Sequence, residues 1–268
     1  MSLLEKTQTL IRDYNFSPSE ENGANFLIDE RTIEKEVQSA ELNENDIVLE
    51  IGSGFGYLTE QIAKKSKVIA IEKDVKLFSY LVNKFELNQH VILINGDFLD
   101  LIPPRFTKVV SNPPYIIVDR ILNKLSRYEF DSGVMILPNS LSETILIDGK
   151  ETRFSFILKK FFDFEYIMDV PKEYFFPSPR VKSQMLKLSK KPRDIFNFVL
   201  SMEDSLVKNA LLSADQLFKK DTKRESREWL SDIASDKSNK RLLEIKDKPI
   251  KTLNLAELKY LCEFLQSV

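Results

Sequence analysis

The 268-residue chain contains one cysteine, one histidine, one tryptophan and only seven glycines. A single cysteine, Cys262, excludes a disulfide within the chain and fits a reducing compartment. One histidine and one cysteine are too few for a zinc site of the usual ligand types, so we expect no metal. The lone histidine, His90, follows polar Asn88 and Gln89. We therefore expect it on the surface and not as a catalytic base.

The chain also lacks long hydrophobic runs. No stretch approaches the ~20 continuous apolar residues that a membrane span needs, and residues 1–15 carry scattered charges instead of an apolar leader. We expect a cytoplasmic protein with no membrane partner. Apolar residues make up 43% of the chain and aromatic residues 10%, enough for a sizeable core. The length fits one large domain, or one domain plus a small appendage, and we expect a monomer.

The few glycines are concentrated in one stretch. Gly52, Gly54 and Gly56 lie within five residues, between the apolar run 47–51 and a helical pattern that begins at Tyr57. Glycine allows tight turns and close approach to a ligand, and a strand–glycine turn–helix sequence is typical of nucleotide sites. The turn lacks the G-x-G-x-x-G spacing that positions pyrophosphate. The pattern therefore favours a nucleoside without phosphates.

Strands alternate with helices along most of the chain, which predicts an α/β fold: a Rossmann-like, mostly parallel sheet with helices on both faces. The predicted strands are 46–51, 67–72, 91–95, 108–111, 133–137, 164–170 and 181–188. After Pro192 only helical patterns remain, at 194–212, 225–234 and 254–266. We therefore predict two domains, 1–189 and 190–268. Residues 1–189 have a net charge of −5 and residues 190–268 a net charge of +3.

Acidic residues follow two of these strands. Glu72 ends the second strand and can accept hydrogen bonds from both ribose hydroxyls of a nucleoside. Asp97, after the third strand, can accept from an adenine amine, and Phe98 can pack on the ring. Either carboxylate alone could instead be a helix cap. The glycine turn and both carboxylates in this order resemble the class I S-adenosylmethionine-dependent methyltransferases.

A fourth signal is Ser111-Asn112-Pro113-Pro114-Tyr115, after the apolar Val109 and Val110. It resembles the (D/N)-P-P-(Y/F) motif of enzymes that methylate planar amides or amines. Such a nitrogen is a poor nucleophile. The Asn112 side-chain oxygen and the Pro113 carbonyl can accept its two N–H bonds and aim its lone pair. Tyr115 can stack on a flipped-out base. The alternative is a proline turn after a strand.

Two further segments resemble one family. Residues 23–29 (G-A-N-F-L-I-D) resemble G-Q-(N/H)-F-L-x-D, and residues 175–183 (F-F-P-S-P-R-V-K-S) resemble F-x-P-x-P-(K/R)-V-x-S. Both are typical of the ribosomal RNA adenine dimethyltransferases, which include the KsgA family and the erythromycin-resistance methylases. Arg153 and Ser155 match a further R-x-S pair. The resemblance runs from about residue 22 to 189.

The resemblance implies an S-adenosylmethionine-binding catalytic domain over 1–189 and a helical, RNA-binding domain over 190–268. The implied cofactor contacts are Asn25, Leu27, Gly52, Gly54, Glu72, Asp97, Phe98 and Asn112. The implied target site is Asn112, Pro113, Pro114, Tyr115 and Phe175, with Phe175 stacking on the second face of the adenine at ~1–3 kcal/mol per stacking contact. Basic residues between Arg180 and Arg193 would meet phosphates, or could form a solvated strand edge and linker.

The implied reaction is N6-dimethylation of two adjacent adenines near the 3′ end of small-subunit ribosomal RNA during ribosome assembly. The implied partner is a precursor of the small subunit. Three alternatives stay open. They are a large-subunit adenine methylase of the erythromycin-resistance type, a protein glutamine methyltransferase, and a non-catalytic assembly factor.

The chain departs from the family pattern in four places. Ala24 replaces the usual glutamine, and Pro114 replaces leucine or isoleucine. Residues 135–143 lack the usual Gln-Lys-Glu helix, and residues 201–209 are more acidic than the basic run expected there. The last two departures fall on surfaces that would meet RNA. They bear on the substrate and not on the cofactor.

Overall fold

The computed structural model describes residues 1–18, 25–235 and 239–267. The chain divides into two compact units, residues 1–150 with 162–190, and residues 151–161 with 191–268. The predicted boundary at 189/190 differs from this division in one element, because the helix after residue 152 clusters with the second unit. None of the helices in the described residues is long and apolar enough to cross a membrane.

The first unit is built on a seven-stranded sheet and one short two-stranded sheet. Its strands are Phe26–Leu27 (β1), Ile47–Ile51 (β2), Lys67–Glu72 (β3), Val91–Asn95 (β4), Lys108–Ser111 (β5), Ser132–Pro138 (β6), Phe162–Val170 (β7), Phe175–Phe176 (β8) and Ser183–Lys190 (β9). The large sheet has the order β4-β3-β2-β5-β6-β9-β7, and β1 pairs with β8. The first five strands in this order, β4, β3, β2, β5 and β6, are parallel to one another. Strand β9 runs antiparallel to both of its neighbours, β6 and β7.

Helices on both faces cover this sheet. They are Leu3–Asp13 (α1), Glu30–Ser39 (α2), Tyr57–Ala63 (α3), Val75–Lys84 (α4), Val118–Leu125 (α5) and Asn139–Leu146 (α6). Two of these helices begin directly after an aspartate that caps the helix N-terminus. The Asp29 side chain accepts from the Thr32 amide at 2.8 Å, and Asp74 caps α4 in the same way. The central strands carry β-branched residues that are fully buried, such as Val48, Val68 and Val109.

The second unit is helical. Its helices are Arg153–Phe161 (α7), Ile195–Ser201 (α8), Val207–Phe218 (α9), Lys223–Ser235 (α10), Lys240–Ile245 (α11) and Leu255–Ser267 (α12). Arg153 ties α7 to the segment before α12, because its guanidinium donates to the carbonyl oxygens of Leu253 at 2.7 Å and Ile250 at 3.3 Å. These bonds explain why α7 belongs to this unit.

The predicted α/β class, the seven strands of the sheet and the helical character after Pro192 agree with the structure. The predicted single helix over 194–212 is wrong, since α8 ends at Ser201 and α9 begins at Val207. The intervening backbone bonds elsewhere: Ser205 O accepts from Ile250 N at 3.0 Å, and Glu203 O accepts from Lys251 N at 2.9 Å. Tertiary pairing therefore replaces the helical ladder there. Helix α11 carried no sequence signal strong enough to predict it.

Candidate active site

The glycine turn between β2 and α3 is held by the carboxylate of Glu72. The Gly54 amide donates to one Glu72 oxygen and the Asp74 amide to the other, each at 2.8 Å. Gly54 has a φ of +55°, and a Cβ there would lie 3.1 Å from the ring of Phe26. A side chain at this position would therefore be strained and crowded. Burial raises the pKa of Glu72, and the amide bonds oppose that rise.

Asp97 and Phe98 follow β4 at the same edge of the sheet. The Asp97 carboxylate accepts from Lys73 Nζ and from the Leu99 amide, at 2.9 and 2.8 Å. Burial alone would raise the pKa of Asp97. The hydrogen bonds from the Lys73 ammonium and the Leu99 amide outweigh burial and lower that pKa. Phe98 is only 2% exposed. The residue therefore presents little of its ring to solvent.

Lys124, in α5, holds this loop in place, and no sequence pattern predicted that role. Its ammonium donates to the carbonyl oxygens of Phe98 at 2.6 Å and Leu99 at 3.0 Å, and also to that of Leu101. The same ammonium lies 4.9 Å from the centre of the Phe98 ring. A lysine donates at most three hydrogen bonds, so its capacity is filled by this loop.

A cavity of about 660 Å³ joins these groups. The predicted residues that line it are Asn25, Gly52, Gly54, Glu72, Asp97, Phe98, Asn112 and Pro114. Phe16, Val75, Ile116 and Arg120 also line it and were not predicted. Leu27 lines a smaller adjoining cavity with Asn25, Asn112 and both glycines. Gly23 and Ala24 lie outside the described residues.

The N-P-P-Y loop lies at the end of β5. The side-chain oxygen of Asn112 is buried and has no hydrogen-bond partner among the described residues. Pro113 is buried, whereas Pro114 and Tyr115 are half-buried. The Tyr115 hydroxyl forms a 2.6 Å hydrogen bond with Ser183 Oγ. A buried acceptor without a partner is costly, which indicates that Asn112 is set to bind a group brought by a ligand.

Phe175, predicted to stack on the target adenine, lies in the core. It is 3% exposed and lines neither of these two cavities. Its ring meets Tyr115 edge-on, with the ring centroids 6.4 Å apart. The neighbouring Phe176 is half-buried. In this structure Phe175 is thus a packing residue of the target loop, and its stacking on a base stays a prediction.

Two buried acids beneath the loop were also missed. Glu50 lines the smaller cavity, and one of its carboxyl oxygens accepts from Thr59 Oγ1 at 2.5 Å. Burial raises the pKa of Glu50 to about 8, although that bond lowers it. Glu36 is fully buried, and neither of its oxygens has a partner among the described residues. Burial and the nearby Glu50 raise the pKa of Glu36 well above its ordinary value. Glu36 lies in α2, and the sequence pattern of that helix did not predict that this glutamate is buried.

The predicted basic run Arg180–Arg193 is only partly available to phosphates. Lys187 forms a 3.1 Å ion pair with Glu41, and Lys190 donates to the Ser126 carbonyl oxygen. Lys191 donates to the Lys159 carbonyl oxygen at 2.9 Å. Lys182 is exposed. Much of this run therefore serves intramolecular contacts.

S-adenosylmethionine fits the residues present. The cavity has the size of a small-molecule site, a glycine turn allows close approach, and carboxylates end two adjacent strands. The Asn112 oxygen supplies the unsatisfied acceptor. No group of histidine, cysteine or acidic side chains suited to a metal ion occurs in the part of the chain that the structure describes. The fold and this site define a class I S-adenosylmethionine-dependent methyltransferase.

Comparison with known proteins narrows the class. The sequence model of the ribosomal RNA adenine dimethylase family matches residues 15–256. Similar curated proteins include the probable ribosomal RNA small subunit methyltransferase A of Pyrococcus furiosus, 33% identical over 194 residues that cover 71% of each chain. The Methanosarcina mazei protein of the same name is 36% identical over 231 residues, 81% of this chain and 84% of that one. The chain belongs to the ribosomal RNA adenine dimethylase family.

Solved structures agree on the fold. A dimethyladenosine transferase from Plasmodium falciparum has a TM-score of 0.61 at 24% identity and covers 89% of this chain and 96% of its own. The 23S rRNA methyltransferase ErmE has a TM-score of 0.59 at 21% identity, over 90% of this chain and all of its own. The predicted family, fold class, cofactor and enzyme class are confirmed: the chain is an S-adenosylmethionine-dependent methyltransferase of ribosomal RNA adenine.

Proposed function

We propose that the protein dimethylates N6 of two adjacent adenines near the 3′ end of small-subunit ribosomal RNA, on a precursor of the small subunit and in the cytoplasm. The observation that carries the proposal is the buried, unpartnered Asn112 oxygen at the cavity. The names of the relatives from Pyrococcus furiosus and Methanosarcina mazei support the choice of small-subunit RNA. The single cysteine supports the choice of compartment.

The residues of the site divide the binding task. Glu72 and Asp97 hold the nucleoside part of S-adenosylmethionine, against the turn formed by Gly52 and Gly54. When bound, the cofactor supplies an electrophilic sulfonium methyl group. Glu72 still has acceptor capacity, because a carboxylate has about four lone-pair sites and two are used by amides.

Asn112 and Pro113 position the target amine. The Asn112 Oδ1 accepts one N–H of the adenine amine and the Pro113 carbonyl oxygen accepts the other, which directs the nitrogen lone pair away from both. After methyl transfer the nitrogen is positively charged and acidic, and its proton passes to solvent water. No strong base is needed, so positioning supplies most of the catalysis. Tyr115 offers a ring face to the flipped-out base.

We further infer that residues 1–189 perform catalysis and residues 190–268 contact RNA, with α7 joined to the latter. The net charge of +3 on residues 190–268 supports this division, since phosphates attract basic surfaces. Among the basic run, exposed Lys182 is the residue that we expect to face phosphates.

Methyl transfer from radiolabelled S-adenosylmethionine to unmethylated small subunits tests the proposal, with naked RNA and large subunits as alternative acceptors. We expect label as dimethyladenine on small subunits and a loss of about 100-fold or more in Asn112→Ala. Asn88→Ala, an exposed asparagine in a loop, should retain full activity. Label on large subunits or on a protein would refute the proposed substrate. Equal activity of Asn112→Ala and Asn88→Ala would refute the mechanism.

A further inference from the structure

Residues 174–183 consist of Tyr174 and the F-x-P-x-P-x-V-x-S motif at 175–183, to which the proposed mechanism assigns no role. One half of this segment braces the strand that lines the cofactor cavity. Phe175 pairs with Leu27 and Phe176 with Phe26, antiparallel, and the Tyr174 carbonyl oxygen accepts from the Ile28 amide at 2.8 Å. The first residues of the motif therefore form the strand that pairs with β1.

The other half of the segment holds Tyr115. The Tyr115 hydroxyl meets Ser183 Oγ at 2.6 Å, and the Tyr115 ring meets the edge of Phe175 at an interplanar angle of 75°. Ser183 and Phe175 are 2% and 3% exposed. Tyr115 is thus held at its hydroxyl by Ser183 and at its ring by Phe175.

Ser183 itself cannot shift easily. It begins β9 and stands between two strands, opposite Pro138 on one side and Val170 on the other. A serine side chain has a single χ angle, so a fixed backbone leaves its oxygen only three staggered positions. The anchor for Tyr115 is therefore part of the sheet and not part of a loop.

We infer that Ser183 is a positioning residue for methyl transfer, which acts by fixing the ring plane of Tyr115 for the target base, with Phe175 as its packing support. This inference rests on the proposed function, because it assigns the orientation of the ring on which the adenine stacks. It also gives the final serine of the motif a role, and it couples the target loop to the segment that braces the cofactor cavity.

A purely structural bond that satisfies a buried hydroxyl is the competing explanation, and a double-mutant cycle separates the two. The variants are Ser183→Ala, Tyr115→Phe and the double variant. Ser189→Ala, a serine on the same strand, is the matched control. If Ser183 acts through the tyrosine hydroxyl, each single variant lowers kcat about tenfold, or ~1.4 kcal/mol, and the double variant is no worse than either. The KM for RNA and the Kd for S-adenosylhomocysteine stay within about twofold.

Three results would overturn the inference. The first is additive losses of kcat in the double variant, and the second is a kcat of Ser183→Ala equal to that of Ser189→Ala. The third is a loss of cofactor affinity in Ser183→Ala that matches its loss of kcat, because that would place the effect on β1 and not on Tyr115.

NMR of ring-labelled tyrosine makes the test independent of the substrate. In the wild type we expect slow ring flips and a distinct Tyr115 signal, and in Ser183→Ala fast flips with a shifted signal. If the wild type methylates no small subunit, the proposed substrate fails, while the NMR result still decides whether Ser183 fixes the ring. An unchanged Tyr115 signal in Ser183→Ala refutes the anchor itself.

Discussion

Gly56, the residue just before α3, should tolerate no side chain. Its φ is +69°, and a Cβ built there would lie 2.7 Å from both Leu81 Cδ2 and Phe85 Cε2. Leu81 is fully buried and Phe85 is 7% exposed, so neither can easily move aside. Gly56→Ala therefore adds a crowded methyl group to a backbone conformation that L-residues avoid.

The two costs can be estimated separately. The left-handed conformation costs roughly 1–2 kcal/mol for a non-glycine residue, and overpacking a core costs typically ~1–3 kcal/mol. We expect Gly56→Ala to lower the free energy of unfolding by about 2–5 kcal/mol. Gly149 is the matched control, because its φ is +83° and a Cβ there would meet nothing within 4 Å. Gly149→Ala should lose only the conformational part.

Urea unfolding of both variants measures the difference. Gly56 lies behind the turn, whereas Gly52 and Gly54 line the cavity. Folded Gly56→Ala should therefore bind S-adenosylhomocysteine with nearly wild-type affinity in calorimetry at low temperature. If Gly56→Ala and Gly149→Ala differ by less than about 0.5 kcal/mol, crowding against α4 does not fix the turn and the argument fails.

Two further predictions concern ionisable groups near the cavity, half-buried Lys124 and buried Glu50. Lys124→Met keeps the apolar stem but loses three bonds to the loop of Phe98, so calorimetry should show about tenfold weaker binding of S-adenosylhomocysteine; unchanged affinity, or an equal loss in the exposed Lys64→Met, would contradict it. Glu50 keeps its proton in the folded chain up to about pH 8 but loses it near 4.5 when unfolded, so the folded state gains its full stability at low pH and loses some as the pH rises from about 5 to 8. Glu50→Gln should reduce this loss by on the order of 3 kcal/mol in urea unfolding at pH 5 and pH 8, and an equal pH dependence in wild type and variant would refute it.

The sheet and much of the cavity lining could be predicted because their signals are local. Glu72, Asp97 and Asn112 each follow a parallel strand, and the carboxyl ends of parallel strands meet at one edge. Residues far apart in the chain gave no such signal. The contact of Tyr115 with Ser183 joins positions 68 residues apart. Lys124 lies in α5 but binds the loop of Phe98 and Leu99, which follows β4. Burial of Glu36 was equally hidden, because a glutamate on an amphipathic helix predicts a solvated face.

The wrongly predicted helix over 194–212 shows that a local sequence pattern can also predict structure that tertiary contacts prevent. Its local pattern is helical, yet residues 203–208 form backbone bonds with residues 246–251 that a helix would not allow. Local propensity is a weak prior where tertiary pairing competes. The acidic residues of this stretch take part in that arrangement, since Asp204 forms a 2.6 Å ion pair with Lys251.

The four departures from the family pattern therefore differ in kind. Pro114 belongs to the site and fits it, because its ring lies 3.3 Å from where a Cβ on Gly52 would stand and fills the space that the glycine leaves. Glu143 and Asp204 sit on the two surfaces that would meet RNA, and both are held by lysines of the same unit, Lys150 and Lys251, at 2.6 Å. Most of the predicted cofactor residues line one cavity, so we expect any change in recognition to reside in the exposed positions of residues 135–143 and 201–209. Residues 135–138 are the buried end of β6, so substitutions at exposed positions such as Ser140 or Ser201 should change the KM for ribosomal subunits while the affinity for the cofactor stays the same.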